Sequence, residues 1–147
     1  MGTLQGLPVG FALAGATADE RQVLVGILAA DRALLAARPG QTLVADKGYY
    51  GRGFEAELAE RRVRRLRPAR KGEPEPAAAH LFRPLRQVIE SVNQTFKAQL
   101  DLERHGGRTP AGVTVRVLQR ILALTAAIWH NHHTGQPVAR SLVAYDH

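Results

Sequence analysis

Residues 41–50 read QTLVADKGYY, in which a short apolar segment runs directly into an acid, a base and a glycine. This pattern predicts a buried strand that ends at Asp46. A carboxylate at such a strand end is either a turn-maker or a metal-binding and catalytic residue, because strand ends are held rigidly and open onto clefts. The local sequence favours the turn-maker, since Asp and Gly are common loop residues. The remainder of the chain has to decide between the two.

The segments on either side of this strand predict helices and two further strands. Residues 7–14, LPVGFALA, form a short apolar run bounded by Gly and Pro, which predicts a strand. Thr17 and Glu20 form a capping box, which predicts a helix from there to about Ala37. Residues 63–66 alternate apolar and basic side chains and predict a third strand with one exposed face.

Three more helices and one loop complete the predicted layout. Phe54 and Leu58 are four residues apart and predict a short helix over 51–61. Residues 68–80, PARKGEPEPAAAH, predict a flexible loop. Helices are predicted over about 81–100 and after Thr109-Pro110, the latter apolar enough to be mostly buried. The fold class is therefore α/β, with three strands alternating with helices and then two C-terminal helices.

Composition limits the class of protein. With 147 residues and 45% hydrophobic content, one domain with a real core is expected. No run of eighteen apolar residues occurs and the start, MGTLQGLPVG, lacks the features of a signal peptide, so a soluble, cytoplasmic protein without membrane association is expected. The absence of cysteine excludes disulfides and thiolate metal sites and leaves oxygen or imidazole ligands for any metal.

The positive charge is concentrated in one segment, RRVRRLRPARK over residues 61–71. Twenty Lys and Arg against thirteen Asp and Glu give a net charge of +7, and this segment alone has seven bases and no acid. The bases are Arg61, Arg62, Arg64, Arg65, Arg67, Arg70 and Lys71. A localised arginine stripe predicts binding to a phosphate backbone, because guanidinium groups make forked contacts with phosphate oxygens. The alternative is a solvated, arginine-rich edge strand.

The predicted helix over 81–100 has a core face and a polar arc beside it. The core face consists of Leu85, Val88, Ile89, Val92, Phe96 and Leu100. The polar arc consists of Arg83, Arg86, Glu90, Asn93 and Lys97. In one reading, Arg86 and Glu90 form an ordinary surface pair four residues apart. In the other, Glu90 is a metal ligand and Arg86 and Lys97 bind phosphates on either side of it.

Arg86, Glu90 and Lys97 are spaced R-x3-E-x6-K, which resembles the signature around the last acidic residue of DDE transposases from bacterial insertion sequences. The similarity extends over nearly the whole chain, through VADKGYYG, LRQVIESVNQTFKAQLDLERHGGRT and RILALTAAIWHN. The family usually has a tyrosine three residues before the arginine, and this chain has Arg83 there. The resemblance outweighs the turn-maker reading of Asp46 and the surface-pair reading of Glu90.

The resemblance implies an RNase H-like fold and a catalytic site in which two Asp and one Glu hold two divalent ions, Mg²⁺ or Mn²⁺. Asp46 matches the second aspartate and Glu90 the glutamate. The implied partners are transposon-end and target DNA, together with further copies of the chain or an upstream partner chain. The implied DNA-contacting residues are Arg86, Lys97, Lys47, Arg83, Arg64, Arg65 and Arg67.

The first aspartate of the family pattern has no counterpart here. It is expected on a strand before LPVGFALA, and Asp19, Asp31, Asp101 and Asp146 are all wrongly placed for it. We therefore expect residues 1–147 to be a single, N-terminally truncated catalytic domain, a partial RNase H-like fold without its first two strands. DNA transposition is then the family activity and this polypeptide alone is inactive. The alternatives are a non-catalytic DNA-binding remnant or regulator, and one half of a split transposase completed in trans.

Overall fold

The computed structural model describes residues 1–136 and residue 142 of the chain. The chain divides into two compact units, which we call the sheet unit, Phe11–Arg83, and the helical unit, Met1–Gly10 with Pro84–His147. The helices are α1 (Glu20–Ala30), α2 (Arg32–Ala36), α3 (Arg52–Glu60), α4 (Phe82–Gln94) and α5 (Pro110–His133), and the strands are β1 (Thr42–Val44) and β2 (Arg64–Leu66).

The sheet unit contains a small parallel sheet. Strands β1 and β2 pair in parallel, with Leu43 opposite Arg65, and α3 forms the crossover between them. The Ala45 N–H extends the pairing by donating to the Leu66 carbonyl over 2.9 Å. The predicted strands at 42–45 and 63–66 and the helix between them are confirmed, as is the α/β class.

The core of the sheet unit lies between α1, α3 and the start of β2. Its buried members are Leu24, Val25, Leu28, Phe54, Leu58 and Val63. Half-buried side chains of Leu34, Leu35, Leu43 and Tyr49 pack around them. The predicted pairing of Phe54 and Leu58 on the inner face of α3 is confirmed, with 5% and 1% of their surfaces exposed.

The strand predicted over LPVGFALA is wrong. Residues 7–14 are irregular, apart from one isolated antiparallel bridge between Pro8 and Gly2. A continuous apolar run does not by itself distinguish a strand from other structure, and a strand also needs a neighbour to pair its backbone groups. Among the described residues the sheet therefore has two strands instead of three.

The helix predicted from Thr17 to about Ala37 begins later and is split in two. The Asp19 side chain accepts the Arg21 N–H and caps α1, so the cap is two residues beyond Thr17. Asp31 ends α1 by donating its N–H to Ile27, and its side chain caps α2 by accepting the Leu34 N–H. Asp side chains compete in this way with continued helix, and the Asp31 signal was not recognised from the sequence.

The helical unit departs from ideal α geometry at one place. Helix α4 continues into a π-helical turn over Thr95–Gln99, where a single uninterrupted α-helix was predicted. A 3₁₀ turn at Leu102–Arg104 follows, and α5 then begins at the predicted cap, where Thr109 Oγ1 accepts the Gly112 N–H over 3.1 Å. The expectation of Ile89 in the core is wrong, because 54% of its surface is exposed.

Helix α5 is only partly buried. Leu124 and Ile128 are buried as predicted, but 64% of Leu122 and 60% of Trp129 are exposed, so the expectation of a mostly buried helix is wrong. By length and composition alone, α5 is apolar enough to cross a membrane. Core helices of soluble proteins pass the same test, so no membrane span is established. Asp146 lies outside the described residues.

Candidate functional site

Asp46 lies two residues after β1, at the carboxyl end of the parallel sheet. Its side chain is exposed, and its Oδ1 accepts the Lys47 N–H over 2.7 Å. The Tyr49 N–H donates to the Asp46 carbonyl over 3.1 Å and closes a tight turn. Asp46 is therefore a turn-forming residue and also presents a carboxylate to solvent, so the two readings of this acid are compatible.

The turn adjoins a cleft of about 240 Å³ within the sheet unit. The cleft is lined by Asp19, Glu20, Arg21, Gly48, Tyr49 and Tyr50. Burial raises the pKa of the Tyr49 phenol above its usual value, and the nearby Glu20 carboxylate raises it further. The Tyr49 ring also packs against Phe54, with 6.1 Å between the ring centroids, which joins the turn to the core.

Glu90 lies on α4 in the helical unit. Arg86 Nε donates to Glu90 Oε1 over 2.8 Å, so the pair predicted from their four-residue spacing is confirmed. Both side chains are largely exposed, 81% for Arg86 and 60% for Glu90, and such a pair contributes only a few tenths of a kcal/mol. The two predicted metal ligands, Asp46 and Glu90, thus belong to different compact units.

Lys97 lies in the π-helical turn that follows α4. Its Nζ pairs with Glu103 Oε1 over 2.7 Å, and this hydrogen bond raises the pKa of Lys97 and lowers that of Glu103. A π turn has i→i+5 hydrogen bonds, so the 3.6-residue period that placed Lys97 in line with Glu90 does not hold there. Sequence reasoning missed both the turn and the partner acid.

Residues 1–126 match the family model described as the transposase DDE domain. The chain belongs to the DDE transposase family. Membership implies DNA as the substrate and DNA transposition as the activity at the level of the family, which typically uses divalent metal ions. Comparisons with curated proteins and with solved structures gave no match.

In this transposase domain, most of the basic segment 61–71 has partners within the sheet unit. Arg64 donates to the Gly40 carbonyl at 3.3 and 3.4 Å, and Arg65 pairs with Glu55 at 2.8 Å. Arg67 forms a forked pair with Glu73 at 2.7 and 2.9 Å. The arginine stripe predicted from the sequence therefore makes contacts within the fold as well as carrying positive charge. Arg83 and Lys47, the other predicted DNA contacts, are exposed.

Asp46 and Glu90 of this transposase domain carry exposed carboxylate oxygens. Carboxylate oxygens are the type of ligand that the hard cations Mg²⁺ and Mn²⁺ prefer. Within residues 1–136 and 142, no three His, Asp or Glu side chains come together in a way that could hold a metal ion.

Proposed function

We propose that Asp46 and Glu90 are the second and third acids of a DDE site, in a domain that cleaves and joins DNA at transposon ends. The observation that carries the proposal is the position of Asp46: an exposed carboxylate two residues after a strand of a parallel sheet, inside a chain of this family. Functional residues concentrate at such strand ends in α/β folds. The pairing β1-α3-β2 supports a partial RNase H-like fold.

The proposed division of roles follows from residue chemistry. Asp46 and Glu90 would hold Mg²⁺ or Mn²⁺ through carboxylate oxygens. Bound divalent ions supply activation of the attacking hydroxyl and stabilisation of the leaving oxygen during in-line attack at phosphorus. Arg86 is within hydrogen-bond distance of Glu90 and would orient it while contacting DNA phosphate.

The proposed DNA surface includes Lys47, Arg83 and Lys97, extended by arginines of segment 61–71. Several of these side chains already pair with acids, as Lys97 does with Glu103. Exposed ion pairs contribute about 0–1 kcal/mol, so a phosphate can replace the acid at little cost. DNA binding by this surface is therefore expected to weaken steeply with salt. The proposed setting is the cytoplasm, where the chain works with further copies or with an upstream partner chain.

We further propose that a polypeptide of these 147 residues alone does not cleave DNA, because it has no counterpart of the first aspartate. Asp19 and Asp31 both have their side chains committed to helix capping. Asp101 occupies a left-handed turn with φ of 48° beyond the π-helical segment. Cleavage would then require a further aspartate, supplied from outside these 147 residues.

The cleavage proposal is tested with DNA carrying the transposon ends. The 147-residue polypeptide is incubated with this DNA and Mg²⁺, with and without a second polypeptide from an upstream frame that carries an aspartate-bearing strand. We expect nicking only in the mixture, and Asp46→Ala or Glu90→Gln should abolish it. Nicking by the polypeptide alone that disappears in Asp46→Ala would overturn the claim of inactivity.

A non-catalytic DNA-binding role is the second candidate, favoured by the charge of segment 61–71. It predicts salt-dependent DNA binding that survives Glu90→Gln, since phosphate contacts do not need the carboxylate. If binding survives and no upstream polypeptide restores nicking, the remnant or regulator reading replaces the split-enzyme reading.

A further inference from the structure

The turn that carries Asp46 is tied to two other elements of the sheet unit by arginine side chains. Arg65 lies on β2, and its Nη1 donates to the Tyr49 carbonyl over 2.8 Å. Arg21 lies in the first turn of α1, and its Nη1 donates to the Tyr50 carbonyl over 2.9 Å. The last residue of the turn and the residue after it are therefore both held from outside the turn.

Each of these arginines is itself fixed by a carboxylate. Glu55 of α3 accepts from Arg65 Nη2 at 2.8 Å, and Asp19 accepts from Arg21 Nε at 3.0 Å and Nη2 at 2.6 Å. The planar guanidinium fork allows one arginine to contact an acid and a backbone carbonyl simultaneously. Each arginine is therefore held by an acid while it donates to a backbone carbonyl at the turn.

The orientation of the Asp46 carboxylate depends on the conformation of this turn. Its Oδ1 accepts the Lys47 N–H at 2.7 Å, a bond that exists only while the turn keeps that N–H directed at the side chain. Asp46 is exposed, so packing does little to select its rotamer. The backbone of the turn is accordingly what orients the carboxylate.

We infer that Arg65 and Arg21 are positioning residues for Asp46, which hold its carboxylate in one rotamer before a metal ion binds. The consequence for metal binding rests on the proposed function of Asp46 as a ligand. Groups that orient metal ligands typically contribute 10–100-fold to metal affinity. The arginines touch neither metal nor DNA in this role.

The first experiment needs no metal. Three-bond couplings between the α and β protons of Asp46 are measured by NMR in the wild-type chain and in Arg65→Gln. One preferred rotamer is expected in the wild type and averaged couplings in the variant. Arg61→Gln is the matched control, because it removes one positive charge from the same basic segment. Arg61 Nη1 donates to the Glu57 carbonyl in α3 at 2.7 Å. Arg65→Lys keeps the charge without the fork and should be intermediate.

The second experiment uses Mn²⁺, whose paramagnetism broadens the resonances of nearby amides. In the wild type, the Lys47 and Gly48 amides should broaden, and Asp46→Asn should prevent this. In Arg65→Gln the Mn²⁺ concentration at half-maximal broadening should rise about tenfold. Arg21→Gln tests the second anchor in the same way, should Arg65→Gln fail to fold.

The two experiments separate the inference from the proposed function. Asp46 couplings that stay at the wild-type values in Arg65→Gln and Arg21→Gln would overturn the positioning role. An unchanged Mn²⁺ midpoint in both variants, with binding that still depends on Asp46, would overturn it as well. Broadening that is absent in the wild type or survives Asp46→Asn would instead overturn the proposed metal role, while the couplings still decide on positioning.

Discussion

Leu58 of α3 should be among the most sensitive positions of the sheet unit to truncation. Only 1% of its surface is exposed, and it belongs to a core of six buried side chains. Burying a leucine stabilises a protein by about 1.5–3 kcal/mol, and removing its side chain leaves a cavity that adds to the loss. We expect Leu58→Ala to lower the free energy of unfolding by about 3 kcal/mol.

The measurement is urea unfolding followed by far-UV circular dichroism, with the free energy of unfolding extrapolated to water. Leu13→Ala is the matched control, because the same atoms are removed from a residue of the same unit that is 48% exposed. It should cost about 0.5–1 kcal/mol at most, since little surface returns to water and no cavity forms. Equal losses in the two variants would refute the position of Leu58 at the centre of the core.

Three further predictions concern the backbone and pH. Arg62 follows α3 with a left-handed φ of 55°, so Arg62→Gly should raise the free energy of unfolding by about 1 kcal/mol in a urea titration. A Cβ at Gly107 would lie 2.7 Å from the Val113 backbone, so Gly107→Ala should lower the melting temperature. Gly26 lies within α1 with open space around its Cβ position, so Gly26→Ala should raise the melting temperature. Glu73 has its pKa lowered from 4.5 to about 2, first by the hydrogen bond from Arg67. Because the folded pKa is depressed, the stabilisation from this pair should be complete above pH 4.5 and disappear as the pH falls to about 2. NMR titration of the Glu73 carboxyl measures its pKa in the folded chain. Arg67→Gln should return that pKa toward 4.5.

Elements with strong local signals were predictable from the sequence. The four-residue spacing of Phe54 and Leu58, the alternation in β2 and the cap Thr109 before Pro110 all depend on neighbours within one or two turns of chain. The pair between Arg86 and Glu90 was predictable for the same reason. The position of Asp46 at a strand end followed from the apolar run before it and the glycine after it.

Two of the contacts that sequence reasoning missed join residues far apart in the chain. Arg21, which is hydrogen-bonded to the nearby Asp19, also donates to the Tyr50 carbonyl 29 residues away. The partner of Arg65 on the Asp46 turn lies 16 residues upstream, across the parallel sheet. No periodicity encodes these contacts, because they exist only once α1, β1 and β2 have come together.

The π-helical turn at Thr95–Gln99 gives the chain a place where its length can change. A π turn closes its hydrogen bond over one residue more than an α turn does. Removing one residue there would leave an ordinary α-helix, whose ends would still be hydrogen-bonded. A deletion before Lys97 would rotate its side chain about the helix axis relative to Glu90 without interrupting the helix. One extra residue therefore determines both the π geometry of this helix and the direction of Lys97 relative to Glu90.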